Sequence, residues 1–204
     1  MGLYGLMKEL KHMAARVRSR ERIARFNKAT DNQIESDQVS LKAIAGHHIN
    51  VLKGTFICEN STVGSYSYVG FNSLISRSAI GRYSSIASNV NIGHGEHPLD
   101  LISTNAIFMK ESYNLFTRDE CVIGHDVWVG VGSIIKRGVR VGIGSVVGAN
   151  SFVNKDVPPY AIVVGSPARI LKFRFDEDKI ARILASKWWE QDVEEARKII
   201  KSLE

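Results

Sequence analysis

A six-residue period constrains this chain more than any other feature. Val51, Ile57, Val63, Val69 and Ile75 fall six apart, Ile80, Ile86 and Ile92 resume the spacing after a one-residue slip, and Ile123, Val129, Ile135, Val141, Val147 and Val153 carry it on. Two further columns move with these fourteen aliphatic positions. Glycine follows many of them, at Gly64, Gly70, Gly81, Gly93, Gly124, Gly130, Gly142 and Gly148. Serine often stands two places earlier, at Ser61, Ser67, Ser73, Ser78, Ser84, Ser133, Ser145 and Ser151. Side chains alternate with period two in a strand and return every 3.6 residues in a helix, so a period of six belongs to neither alone. It suits a solenoid in which a short strand and a tight turn recur. The aliphatic residue points into a narrow interior, and the small residues let the chain turn.

The pattern breaks once, for 31 residues between Ile92 and Ile123. A loop of that length in a rigid repeat is uncommon unless it carries function, so the excursion, about 93–122, is the expected place for a site. Both ends read as helical. Residues 5–28 place Leu6, Met7, Leu10, Met13, Val17, Ile23 and Phe26 loosely at helical spacing. Asp176 stands before a run with Ile180, Ile183 and Leu184, where it suits an N-cap, and 190–203 carries Val193, Ala196, Ile199 and Ile200. Turns are expected at Asp156–Pro159 and Gly165–Pro167. The expected organisation is a basic helical segment at 1–30, a mainly β solenoid domain at 31–170 and a helical segment at 171–204.

Composition narrows the class. The 204 residues carry 44% hydrophobic and 24% charged side chains, ordinary values for a globular domain. Cys58 and Cys121 are read as free thiols in a reducing compartment. The opening MGLYGLMKELKHM has charges within its apolar stretch, unlike a secretory signal, and Leu6 breaks the myristoylation pattern. No run approaches the ~20 apolar residues needed to span a bilayer. Together these point to the cytoplasm. Most of the net +6 charge sits near the start, on Lys8, Lys11, Arg16, Arg18, Arg20, Arg22, Arg25 and Lys28 against Glu9 and Glu21. We read this as a solvated helix face, with weak contact to a membrane surface as the alternative. Nucleic acid is not expected as a partner.

The three columns resemble the hexapeptide repeat of acyltransferases built on a left-handed parallel β-helix. The resemblance implies a triangular prism with three hexads per coil, hence between four and five coils and a height of roughly 20 Å at about 4.8 Å per coil. It implies a homotrimer with sites between subunits, acetyl-CoA as cosubstrate, and no metal. Glu96-His97-Pro98-Leu99-Asp100-Leu101-Ile102-Ser103-Thr104 resembles the xenobiotic acetyltransferases acting on chloramphenicol and streptogramins, whose catalytic histidine is followed three places later by an aspartate. Here Asp100 is that aspartate, and Leu101 replaces the usual tryptophan. Galactoside acetyltransferases, with a Gly-His-Pro step, place the histidine at the same position. His97 is therefore the expected general base, a role suited to a side chain whose ordinary pKa lies near 6.5. His94 is read as a polar loop residue, His125 as a corner residue, and His47 and His48 as structural.

The same resemblance implies the donor site. Trp128, in the run from Ile123 to Gly130, matches a position lining the active site of galactoside acetyltransferases. Ala149, Asn154 and Lys155 match positions that contact CoA in the last coil, and Arg169 and Lys172, in Gly165-Ser-Pro-Ala-Arg-Ile-Leu-Lys172, match an exit turn facing its phosphates. Arg174 is a weaker candidate. Phe175-Asp176 and Trp188-Trp189 keep the spacing of the helix that follows the prism in xenobiotic acetyltransferases. The acceptor, a saccharide or other small-molecule hydroxyl, is expected against the loop and Tyr83, with Tyr66 and Tyr68 nearby. Alternatives are N-acylation of an amino sugar on a nucleotide, a non-catalytic scaffold, and a zinc carbonic anhydrase using His94, His97 and His125.

Overall fold

The computed structural model describes residues 3–204, and within the first helix the side chains of positions 5, 7, 13, 14 and 17 onward. The side chains of Leu6, Lys8, Leu10, Lys11, His12 and Arg16 lie outside the described residues. The chain forms a left-handed parallel β-helix whose short strands stack into three sheets, the faces of a triangular prism. The first face runs through Asn50–Val51, Tyr68–Val69, Ser85–Ile86, Trp128–Val129 and Val146–Val147. The second runs through Phe56–Ile57, Leu74–Ile75, Asn91–Ile92, Ile134–Ile135 and Phe152–Val153. The third runs through Thr62–Val63, Ser78–Ile80, Cys121–Ile123 and Arg140–Val141. Every aliphatic of the repeat is buried on the prism axis, and each such residue stabilises the fold by about 1.5–3 kcal/mol.

The prism is taller than the repeat implies. An additional coil begins it, with Gln33–Ile34 on the first face and Val39 and Ile44 bridging to Ile57 and Val63. Val157 and Ala161–Gly165 extend it at the other end. The first face thus carries seven parallel levels, a height of about 29 Å at 4.8 Å per level. Ile34, Val39 and Ile44 are five apart, so they escape a six-residue count although all three are buried.

The serine and glycine columns do different work. Serine hydroxyls reach up the prism: Ser67 Oγ donates to Gly81 O at 2.9 Å, Ser84 Oγ to Gly124 O at 2.9 Å and Ser133 Oγ to Gly148 O at 2.9 Å. They satisfy carbonyls buried at the corners, where the strand ladder cannot. The glycine column lets stacked corners touch. A Cβ on Gly130 would lie 2.6 Å from Ala149 N, backbone that cannot yield. In many turns the left-handed residue lies two places after that glycine, at Asn72, Asp126, Gly132, Gly144 and Asn150 among others. Asparagine, aspartate and glycine tolerate that conformation; Tyr66 and Tyr83 adopt it too, with their rings stacked 4.8 Å apart.

The helix Leu3–Thr30 docks through its end. Asn27 Nδ2 donates to Ile34 O and Asn27 Oδ1 accepts from Ile34 N, both at 3.0 Å, while Ile23 joins the core. Arg18, Arg20, Arg22, Arg25 and Lys28 are exposed. At the far end, Ala161–Gly165 pairs antiparallel with Ala168–Phe173, so the chain leaves the prism after Phe173, and a boundary at 170 falls within a strand. Asp176 caps Glu177–Ser186 by accepting from Lys179 N at 2.7 Å. That helix, Trp188, Trp189 and Val193–Leu203 form a second apolar cluster with Tyr160. No helix among the described residues is long and apolar enough to cross a membrane.

Candidate functional site

The long excursion leaves the second face after Ile92 and rejoins the third at Cys121, so it replaces one corner of one coil. It contains a short 3-10 turn at Ala106–Phe108 and a helical turn at Ser112–Phe116. Its limbs are joined by Glu96 N donating to Phe116 O at 2.9 Å, and they meet closely because a Cβ on Gly95 would stand 3.1 Å from Phe116 Cβ. His97 packs on Phe116 with ring centroids 4.1 Å apart.

His97 Nδ1 lies 2.6 Å from Thr104 O. A carbonyl only accepts, so Nδ1 is the donor, and in the neutral imidazole Nε2 is the nitrogen with the free lone pair. The ring is exposed and lines a pocket of about 480 Å³ together with Asp100, Leu101, Phe116, Lys136 and Arg137. Lys136 Nζ stands 3.7 Å from Glu96 Oε2 at its edge. A second groove of about 560 Å³ shares Arg118, Asp119, Lys136 and Arg137 with it and continues to Asn154 and Lys155, both exposed. The structure therefore brings His97, Asp100, Asn154 and Lys155 to one corner.

The remaining expected site residues lie elsewhere on the chain. Trp128 projects from the first face, 57% exposed, and that face is opposite the corner bearing the loop. Ala149 is exposed where the chain turns from the first face to the second. Arg169 and Lys172 are exposed on the strand Ala168–Phe173 at the edge of the first sheet. Tyr83 belongs to the third corner, between the third and first faces. Its hydroxyl donates to Gln191 O at 2.7 Å and its ring meets Trp188. It fastens the C-terminal segment and does not line the His97 pocket. Tyr66 is stacked beside it, between Tyr83 and His48.

His94 Nε2 meets Asn91 Oδ1 at 3.2 Å. His94 and His97 belong to the loop corner, whereas His125 sits at the same corner as Tyr83, so the three imidazoles do not converge. No cluster of three metal-ligating side chains occurs among the described residues. His125 Nδ1 accepts from Arg82 N at 2.9 Å and its ring stacks on Trp189. Burial, and then the Arg82 charge, hold its pKa below the ordinary 6.5. A histidine depressed in this way contributes stability that is present above its unfolded pKa and lost as pH falls through the folded one. Stability should therefore decline as pH drops below about 6.5, and His125→Asn should flatten that decline. Melting temperature recorded across acidic pH for both proteins checks this; parallel curves would remove His125 as the cause.

Two residues escaped sequence reasoning, Phe116 and Arg137. Phe116 gave no signal, because its loop has no period. Arg137 gave a faint one: Ile135 is followed by Lys136 where the neighbouring turns place glycine. The Arg137 side chain turns inward and is 7% exposed. Nη1 donates to Asp119 O at 2.9 Å and Arg77 O at 3.2 Å, Nη2 to Gly93 O and to Ser76 Oγ at 3.4 Å, and Nε to His94 O at 3.3 Å.

No family model matches the chain. A chloramphenicol acetyltransferase of Agrobacterium fabrum is 40% identical over 124 residues, 55% of this chain and 59% of that enzyme. The match thus spans about three fifths of that relative's length. The galactoside O-acetyltransferase of Escherichia coli is 30% identical over 173 residues, covering 80% of this chain and 81% of its own. Among solved structures, a hexapeptide-repeat acetyltransferase of Vibrio cholerae O1 biovar eltor complexed with acetyl-CoA superposes with a TM-score of 0.50 at 27% identity, covering 76% and 78% of the two chains. With the repeat, the prism and the single loop corner all in place, the chain belongs to the hexapeptide-repeat acetyltransferases that include galactoside O-acetyltransferase.

Proposed function

We propose that the protein transfers an acetyl group from acetyl-CoA to a hydroxyl of a saccharide or other small molecule, with His97 as general base. The observation that carries this reading is the contact of His97 Nδ1 with Thr104 O. With Nδ1–H spent on Thr104 O, Nε2 can take the acceptor proton as its oxygen attacks the thioester carbon. The acetyl carbon then bonds to that oxygen, the CoA thiolate leaves, and the proton passes from His97 to it. The acetyl-CoA complex of the Vibrio relative supports the donor. Arg169 and Lys172, exposed and in no ion pair among the described residues, offer cations suited to phosphates. Release of free thiol from acetyl-CoA in the presence of chloramphenicol, galactosides or nucleotide amino sugars tests the reading. Absence of acceptor-dependent release across the whole set would count against it.

Arg169→Ala is expected to weaken CoA binding and to leave dephospho-CoA almost unaffected, if Arg169 meets the 3′-phosphate. Equal losses in calorimetry for both ligands would remove that role. Trp128, Ala149, Arg169 and Lys172 lie apart from His97 in one chain, so a complete site requires two chains, each supplying one set. A closed threefold ring gives three such sites. Light scattering should return a mass of three 22.7 kDa chains, and a monomer at micromolar concentration would contradict it. Free thiols at Cys58 and Cys121 support a reducing, cytoplasmic setting.

A further inference from the structure

We propose that Arg137 is the positioning residue of the His97 loop: its buried guanidinium fastens the loop's entry and exit to one corner of the prism and so sets where His97 presents Nε2. The inference rests on the reading of His97 as the base. Arg137 makes hydrogen bonds to five acceptors, and they fall into two groups. Gly93 O and His94 O open the loop and Asp119 O closes it; Arg77 O and Ser76 Oγ belong to the coil beneath. A planar guanidinium with five donors can span such a set, whereas an ammonium offers three donors from one point.

Among the described residues no ion pair includes Arg137. Its charge is balanced by carbonyl and hydroxyl dipoles alone, and burial, chiefly, lowers its pKa. A buried charge without such partners is costly, so the guanidinium stays buried only while the loop ends remain in place. The reverse also holds, since freeing Arg137 would leave the inward-facing carbonyls of Gly93 and Asp119 without a donor. Loop ends and guanidinium are therefore locked together.

The lock is close to the proposed base. His97 lies three residues beyond His94. Its neighbour Glu96 bonds Phe116 O, and Phe116 supports the imidazole. On the exit limb, Thr117 Oγ1 accepts from Arg77 Nη1 at 3.2 Å. A shift of the entry would thus pass to His97 through a short run of joined backbone. The aliphatic column continues through Ile135 and Val141 without help from Arg137, so the prism has its core independently of the clamp.

Hydrogen exchange by mass spectrometry and steady-state kinetics, run on Arg137→Gln and Arg137→Lys in the full-length protein, test the proposal. Exchange in peptides within 93–120 should accelerate about tenfold or more, and prism peptides should stay protected. With acetyl-CoA and chloramphenicol, kcat for thiol release should fall about 10–10²-fold, as expected for a misplaced catalytic group, with KM for acetyl-CoA unchanged. Lysine should not restore either property; because it keeps the charge, it also serves if the glutamine variant does not fold. Loop exchange unchanged in a folded variant overturns the clamp. A loosened loop with undiminished kcat overturns the positioning role. A loosened loop in a protein whose wild type never turns over acetyl-CoA leaves the clamp standing and removes the acetyltransferase reading instead.

Discussion

Replacing His97 by alanine is expected to lower kcat by about 10²–10⁴-fold, the usual worth of a general base, and to leave the Kd for acetyl-CoA nearly unchanged. The imidazole lines the loop pocket, and the residues assigned to CoA are others, so its loss removes proton transfer without removing donor binding. His94→Ala is the control and should cost far less. The bond from Arg137 to His94 uses the backbone carbonyl, which alanine retains, and the side chain is exposed and hydrogen-bonds Asn91 Oδ1. Turnover lost in His94→Ala and kept in His97→Ala would place the base on the other histidine. Activity kept in both would end the histidine mechanism for this protein.

The second large effect concerns the prism. Ile86 is fully buried on the first face, paired in register with Val69 below and Val129 above. Ile86→Ala should cost about 2–5 kcal/mol, because the removed methyl groups leave a cavity that the stacked coils cannot close. The backbone ladders fix the spacing of neighbouring levels, so relaxation into the void is limited. Urea unfolding should show a lower midpoint with an unchanged slope. An unfolding free energy within about 0.5 kcal/mol of wild type, the range usual for surface substitutions, would show that the interior is looser than its burial indicates.

Much of the solenoid was legible in the sequence because its code is local. Each turn repeats the same three demands, an inward aliphatic, a small residue where corners touch and a hydroxyl for a buried carbonyl, and each appears as a column. The solenoid domain was bounded from residue 31, yet the six-residue column starts only at Val51, because Ile34, Val39 and Ile44 keep the three faces with five-residue spacing. Shorter corners serve the same geometry, and a fixed period does not register them. Resemblance of the Glu96–Thr104 run brought His97 forward, but its carbonyl partner Thr104 could not be chosen from sequence, since that bond depends on how the loop folds back.

The sequence by itself determined the architecture and the single place where it is interrupted, since periodic burial and one aperiodic stretch are properties of a linear pattern. Only the tertiary structure decided which residues meet. It stacked Tyr83 against Trp188 at a corner away from the loop, separated Trp128 from His97 by a whole prism, and turned Arg137 inward beneath the loop. The physical reason is that a coil brings residues about seventeen positions apart into register, and a loop can carry a further twenty or more past them, as the bond between Arg137 and Gly93 across 44 positions shows. Contacts of that range follow from coil closure and loop path, and hydrophobic periodicity contains neither.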